Sequence, residues 1–485
     1  MINETKYVAF LLAISAAFAV QAQQIAGDDE GSPMDQVVPV ADAEPDAAEP
    51  GSEAEDELTL DEQLAIEFER YRRLVNEGAM DEADVSAKRI VEMVIKTHGP
   101  ESLEASKALN NLALVQHRNG QYDAAIQNFE SAVEIIELRE DRLNQRLVNP
   151  LKGLGAAQLG SGRPDLASQT FNRAAHITHV NEGPHNIEQV EILESLAQST
   201  LLLGNSKGAR DIIDRIHSLN VRHFDGDELA LIPSLMRRAR WQHAAQYYND
   251  ERATYRRAIR IVEKKLGKDD PQLILPLSKL GESFYFMDMT QSIPQQQGLA
   301  STGEMYFKRA VKIAEASPEV GWRGLVDTKL ALADYYVYGE ANNRARKIYE
   351  NLWEFLSTDE ERLAARDALL EQPVLLREGA LPKYIGKART GDAAGGEFLT
   401  GTIRVDYTVS KRGRVRNIRT EAKPPQFTDM QRMVHREIRQ RVFRPLMRDG
   451  RLQTSDNFVF EHSFFYQQAD LDKAISMQEQ AAKQR

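Results

Sequence analysis

The chain has 485 residues, no cysteine and a formal net charge of −12. Its 42% hydrophobic and 28% charged residues are ordinary for a folded protein, with length for two or more domains. The missing cysteine excludes disulfides, thiolate metal sites and a lipid-modified N-terminal cysteine.

The acidity is local. Between Asp28 and Glu62 there are 14 Asp and Glu and no Lys or Arg, and without them the remaining chain is slightly positive.

Residues 1–22 read as an export signal. Lys6 precedes the apolar run Tyr7 to Val20, and Val20-Gln21-Ala22 offers the small residues a signal peptidase recognises. The run is shorter than the roughly 20 residues that span a bilayer. A cleaved signal and a periplasmic product of a Gram-negative envelope are expected, with an uncleaved inner-membrane anchor through residues 7–20 as the alternative. Residues 23–58 are rich in Ala, Asp, Glu, Pro and Gly and bury too little apolar surface to offset their ordering entropy, so they are expected to form a disordered acidic linker.

Residues 59–357 carry helical periodicity that repeats. Leu112-Ala113, Gly120, Tyr122, Ala125, Phe129 and Ala132 place small residues where two antiparallel helices touch and large ones on the same faces. The pattern returns 42 residues on as Leu154-Gly155, Gly162, Ala167, Phe171 and Ala174, then as Leu196-Ala197, Gly204, Ala209, Ile213 and Ile216. A degenerate unit keeps Ala239, Tyr255 and Ala258. Leu280-Gly281 opens the next, whose second helix (Phe307, Ala310) is delayed by a Gln-rich insertion at about 287–298. Leu332-Ala333, Ala345 and Tyr349 follow, and the register runs back to a first unit with Tyr71, Gly78, Ala83 and Ile90. The expected fold is mainly α: an α-α superhelical array of about seven hairpins with a 42-residue period.

These residues resemble tetratricopeptide repeats. The usual period is about 34. The longer step, with Gly99-Pro100, Gly183-Pro184 and Asp270-Pro271 between units, is similar to the long-helix variety of kinesin light chains. Residues 358–376 are expected to be a helical connector, with a helix from Asp359 to Leu370.

In residues 377–467 the period changes to two. Ile403, Val405, Tyr407 and Val409 alternate with Arg404, Asp406 and Thr408, Lys411-Arg412-Gly413 makes a turn, and Val415 to Thr420 returns. Phe427, Met430, Val434, Ile438 and Val442 mark one helix face, and Phe458, Phe460, Phe464 and Tyr466 alternate as a last strand. The order is a small α+β (ββαβ) domain, followed by a tail at residues 468–485. With Tyr384-Ile385, Gly401, Gly413-x-Val415-x-Asn417, Phe443-Arg444-Pro445 and Asp449-Gly450 at these spacings, it resembles the TonB C-terminal domain. The family's Tyr-Pro is Tyr384-Ile385 here, and its Pro-rich spacer is missing.

No catalytic pattern emerges. His176, His179 and His185 lack the further ligands a metal would need, and Gly391 to Gly396 lacks the Gly-Lys-Ser/Thr of a phosphate loop. No enzyme activity, metal or cofactor is expected, and an exported chain is not expected to meet nucleic acid. Residues 377–466 hold 18 Lys and Arg against 10 Asp and Glu, clustered at Lys411, Arg412, Arg414, Arg416 and Arg419 and at Arg432, Arg436 and Arg439. That surface suits plain solvation, or attraction to an acidic partner, anionic lipid or the chain's own acidic segment.

Proteins or peptides are the expected partners, outer-membrane transporters or other envelope proteins among them. A stacked array offers a face lined by the first helix of each hairpin. The register puts Lys107, Asn110, Leu114, His117, Asn149, Lys152, Glu194 and Gln198 there, to hold a peptide or to keep the face wet. The TonB resemblance implies strand addition at Asn457, Val459, Glu461, Ser463 and Phe465; the same strand also completes the sheet. The expected function is a periplasmic adaptor binding one partner in the repeat groove and another on the last domain. The alternative is a membrane-anchored TonB-type energy transducer.

Overall fold

The computed structural model describes residues 59–224, 228–286, 303–377, 381–385 and 398–483. The signal and acidic segments, the Gln-rich insertion and the glycine-rich stretch 391–396 lie outside these residues.

Seven helical hairpins stand among the described residues: α1 (Leu60–Glu77) with α2 (Met80–His98), α3 (Leu103–Arg118) with α4 (Tyr122–Arg139), α5 (Val148–Gly160) with α6 (Pro164–Glu182), α7 (Gln189–Leu202) with α8 (Ser206–His223), α9 (Ile232–Ala244) with α10 (Tyr248–Lys265), α11 (Ile274–Glu282) with α12 (Gly303–Ala316), and α13 (Gly321–Tyr338) with α14 (Asn342–Leu356). The first four hairpins form one compact unit, and the last three, with the described residues that follow, form another.

Local chemistry fixes where each hairpin starts and turns. At α1, Thr59 accepts from the Glu62 amide while the Glu62 carboxylate accepts from the Thr59 amide, a reciprocal cap for two unpaired donors. The first four first helices end on a left-handed glycine, with φ of +74° at Gly78, +72° at Gly120, +78° at Gly162 and +76° at Gly204. One residue further on, an amide reaches back to close the turn, as Gln121 to the Gln116 carbonyl (2.8 Å) and Arg163 to the Gln158 carbonyl (2.8 Å). The step persists where the sequence hides it: Gln246 (φ +65°) and Glu340 (φ +62°) take this place without glycine.

A polar lock also repeats inside the hairpins. Gln116 accepts from Asn128 (2.7 Å), Gln158 from Thr170 (2.8 Å) and Gln242 from Thr254 (2.8 Å), each joining first helix to second near the turn.

Packing explains the small residues. A Cβ on Gly153 would lie 2.3 Å from the Phe129 ring, and one on Gly155 2.6 Å from the Phe171 ring. The two rings of neighbouring second helices thus close on α5 from both sides. Ala125, Ala167 and Ala209 are fully buried at the corresponding helix crossings. In the degenerate fifth hairpin Glu251 holds that place, 3% exposed, its carboxylate 3.0 Å from Nδ1 of His243. A buried carboxylate needs a polar partner, and the neighbouring first helix supplies one.

After the hairpins comes α15 (Glu360–Leu370), with Asp359 as its N-cap. The C-terminal module has a three-stranded antiparallel sheet with β2 (Leu399–Val409) at its centre, between β3 (Val415–Lys423) and β7 (Phe458–Tyr466). Helix α16 (Thr428–Gln440) buries Met430, Val434 and Ile438 against it. The strand, strand, helix, strand order read from the sequence is present, with additions. β1 (Val374–Arg377), which begins inside the expected connector, pairs antiparallel with β4 (Val442–Arg444). β5 (Met447–Arg448) and β6 (Arg451–Leu452) form a small hairpin whose turn, Asp449-Gly450, has positive φ at both residues. The expected tail is helical as α17 (Gln468–Lys483), with Leu471 and Ala474 against the sheet core.

Candidate protein-binding surfaces

From α3 to α7 each first helix places one residue per 42-residue step on the same face. Lys107, Asn149 and Glu191 form one row across α3, α5 and α7; Asn110, Lys152 and Glu194 form a second; Leu114, Ala156 and Gln198 form a third. Lys107 and Gln198 are half-buried and Asn149 is exposed, so these side chains are open to contact. Lys152 is committed to Glu191, Nζ to Oε2 at 2.5 Å, which neutralises the cation the sequence offered for a carboxylate.

Asn110 is buried, while His117 is half-buried like Lys107 and Gln198. Oδ1 of Asn110 and Nδ1 of His117 are out of reach of solvent, and among the described residues neither atom has a hydrogen-bond partner. The His117 ring meets Tyr122 edge-on at 5.4 Å, and three repeats later His243 meets Tyr248 at the same 5.4 Å.

Burial pushes the His117 imidazole down to about 4, against a hydrogen bond with the Ala156 backbone that works the other way. The unfolded imidazole titrates near 6.5. Between those values the unfolded chain binds the extra proton, so the contribution is complete above pH 6.5 and is lost as pH falls toward 4. One such site is worth about 3 kcal/mol over that window. Leu159 and Leu201 hold the corresponding positions in the next two hairpins, so His117→Leu should fit. Urea denaturation at pH 7 and pH 4.5 should show a smaller acid-induced loss of stability in the variant than in the wild type.

A pocket of about 360 Å³ lies on another face, between α4 and α6. Leu151 and Leu154 are its floor, and Glu130, Glu134, Glu137 and Arg173 rim it. Glu137 is tied to Arg173. Burial and the neighbouring Glu134 charge raise the Glu130 carboxyl.

In the C-terminal module the five strand-addition residues fall on or beside one edge. Strand β2 takes one side of β7. On the other, Phe465 donates to the Lys383 carbonyl (2.7 Å) and accepts from the Ile385 amide (3.2 Å), in a parallel bridge at Tyr384. The chain's own segment therefore fills the edge at Phe465. By alternation Val459, Glu461 and Ser463 turn their amides and carbonyls the same way, and among the described residues nothing pairs with them. Asn457 precedes the strand and is exposed. The opposite edge, on β3, is blunted: Asn417 is left-handed (φ +54°), the β2 register shifts beside it, and Arg416, Arg419 and Lys423 are exposed.

The basic clusters are partly spent within the protein. Arg414 reaches the Glu340 carboxylate (3.1 Å) and the Tyr338 carbonyl (3.3 Å), Arg432 pairs with Asp429, and Arg419 stands opposite Asp406 on β2. Lys411, Arg412 and Arg439 are exposed.

One pairing was not expected. Arg444, from β4, grips Asp334 of α13 with both arms: Nε to Oδ1 at 2.9 Å and Nη2 to Oδ2 at 2.7 Å. Tyr349 donates to the same carboxylate (2.7 Å), and Arg444 Nη1 donates to the Leu369 carbonyl (3.0 Å). The pair is sealed, at 10% and 8% side-chain exposure. Asp334 gave a signal in the sequence, a lone acid inside the apolar run Leu330 to Tyr338.

The seven hairpins define a class, an α-α helical-repeat array. Residues 74–137 match the tetratricopeptide repeat family. Among solved structures, the kinesin light chain nearly identical TPR-like repeats of Podosopora anserina share 17% identity, with 42% of this chain and 97% of that one covered and a TM-score of 0.38. The C-terminal part of a TPR repeat-containing protein of Cytophaga hutchinsonii shares 13%, covering 61% and 98%, with a TM-score of 0.38. The apo form of RapI shares 12%, covering 59% and 95%, with a TM-score of 0.37. No curated protein matches the chain. The 42-residue step and the repeated cap geometry carry the repeat assignment. Among the described residues no helix is long and apolar enough to cross a membrane, and no group of three His, Asp or Glu could hold a metal ion.

Proposed function

We propose that this protein is a periplasmic adaptor with a TonB-like C-terminal module. One partner is held on the first-helix face of the repeats and another adds a strand to β7. The observation that carries the reading is the outer edge of β7 from Val459 to Ser463, with which no described residue pairs. Its extent suits a short extended peptide bound through main-chain hydrogen bonds. Segment 383–385, already paired at Phe465, sets where that peptide must stop. Lys107, Asn149 and Gln198 supply the polar contacts on the repeat face, and Lys152 acts through its pair with Glu191.

A photo-crosslinking residue at Ser463 and, separately, at Gln198 should capture different proteins in whole cells. Glu461→Pro removes an outward amide that β2 does not use, so the sheet tolerates it. It should cut the Ser463 adduct about tenfold or more, the worth of one to two main-chain hydrogen bonds, and leave the Gln198 adduct unchanged. An adduct at Ser463 indifferent to the proline would sink strand addition. The intact mass should begin at about Gln23. Recovery of residues 1–22 in the inner membrane would favour the energy transducer instead.

A further inference from the structure

Asp334 occupies the position held by Leu114, Ala156, Gln198, Arg240 and Glu282 in the earlier hairpins, one row of the first helices. In the last hairpin that position is already filled, by a side chain of the same protein. We propose that the C-terminal module is the closing cap of the array: Arg444 occupies the first-helix face of the last hairpin, and the module folds and unfolds with that hairpin as one cooperative unit.

Four further contacts argue for it. Val442 and Met447 belong to the same apolar core as Val326, Leu330, Val337, Leu352 and Leu370. The turn between β2 and β3 is wedged against the repeat: a Cβ on Gly413, at φ +71°, would lie 2.0 Å from the Phe443 carbonyl oxygen and 2.9 Å from Val337. Arg414 ties the same turn to the end of α13 through Tyr338 and Glu340. The β5–β6 turn at Gly450 meets Trp353 of α14, whose ring also lies under the Arg366 guanidinium at 4.4 Å.

Terminal repeats need a cap because their outer face has no following neighbour to bury it. Here the cap is an α+β module rather than a polar helix. Two consequences follow. A ligand of the repeat face must bind upstream of the last hairpin. The β7 edge is held in fixed geometry to α13 instead of swinging on a tether. Neither consequence depends on what β7 binds.

Native-state hydrogen exchange of the full chain across a urea series tests this. Amides of α13 and of β2 and β7 should open with the same free energy and the same urea slope. Arg444→Met should raise exchange in both segments together by about a hundredfold or more, while Arg416→Met, at an exposed sheet position, should leave both unchanged. If the sheet opens at a lower urea slope while α13 stays protected, or if Arg444→Met loosens only one segment, the cap is overturned. The wild-type series decides the matter even if the Arg444 variant does not fold.

Discussion

Replacing Asp334 with alanine should cost about 3–5 kcal/mol of unfolding free energy, read as a lower urea midpoint of the transition that contains α13. The substitution removes little volume. Its effect comes from what it leaves behind: a guanidinium at 10% exposure with its Nε and Nη2 donors unanswered, and a buried Tyr349 hydroxyl that loses its acceptor. Removing both charges is a different experiment. Asp334→Leu with Arg444→Met replaces the pair by apolar groups, and the desolvation of two ions no longer opposes folding. The double variant should therefore lie within about 1–2 kcal/mol of wild type on either side. A cycle in which the double variant is as unstable as Asp334→Ala would show that packing, not charge, holds the junction.

Phe129→Ala should have an effect of the same size, about 3–5 kcal/mol, because a fully buried ring leaves a cavity its neighbours only partly fill. The helix facing it makes the prediction sharper. Gly153 is there because the ring is there; a methyl at 153 would sit 2.3 Å from the Phe129 ring. Gly153→Ala alone sets a helix-propensity gain of about 1 kcal/mol against overpacking of about 1–3 kcal/mol. In the Phe129→Ala background the clash is gone and the new methyl enters the space the ring leaves. The double variant should then be more stable than the sum of the single effects predicts, by about 1 kcal/mol or more. Additive costs would mean that ring and glycine do not share the space.

The glycine pattern was legible because it is local. Gly120, Gly162 and Gly204 mark left-handed helix ends, and their spacing alone places three turns. At 246 and 340 the turn is made by Gln and Glu at positive φ, and there only the phase of the surrounding apolar residues kept the count. The fifth hairpin looked degenerate because Glu251 stands where alanine belongs. Its answer lies on the neighbouring helix, in His243. Likewise β1 and β4 are too short to announce themselves, since three or four residues carry no readable alternation. They exist because they pair with each other across almost seventy residues of chain.

Residue exposure within a legible register was harder to read. The 42-residue step assigned Asn110, Lys152 and Glu194 to one row, but not which of them meets solvent. Lys152 found Glu191, and the Asn110 carboxamide oxygen is shut off from solvent. On β7 the alternation named the outward residues, Val459, Glu461 and Ser463, because side chain and backbone share the period of two. It did not reveal that segment 383–385 occupies the same edge at Phe465.

The sequence by itself determined the hairpins, their step and the strand-strand-helix-strand order of the C-terminal module, because periodicity, caps and turn residues act within a few residues of themselves. Only the tertiary structure decided that this module closes the last hairpin. Asp334 and Arg444 are 110 residues apart, and although Asp334 stands out as a lone acid in an apolar run, nothing local names Arg444 as its partner. Their meaning arises when β4 is laid on α13, water is excluded, and each becomes the other's necessary partner.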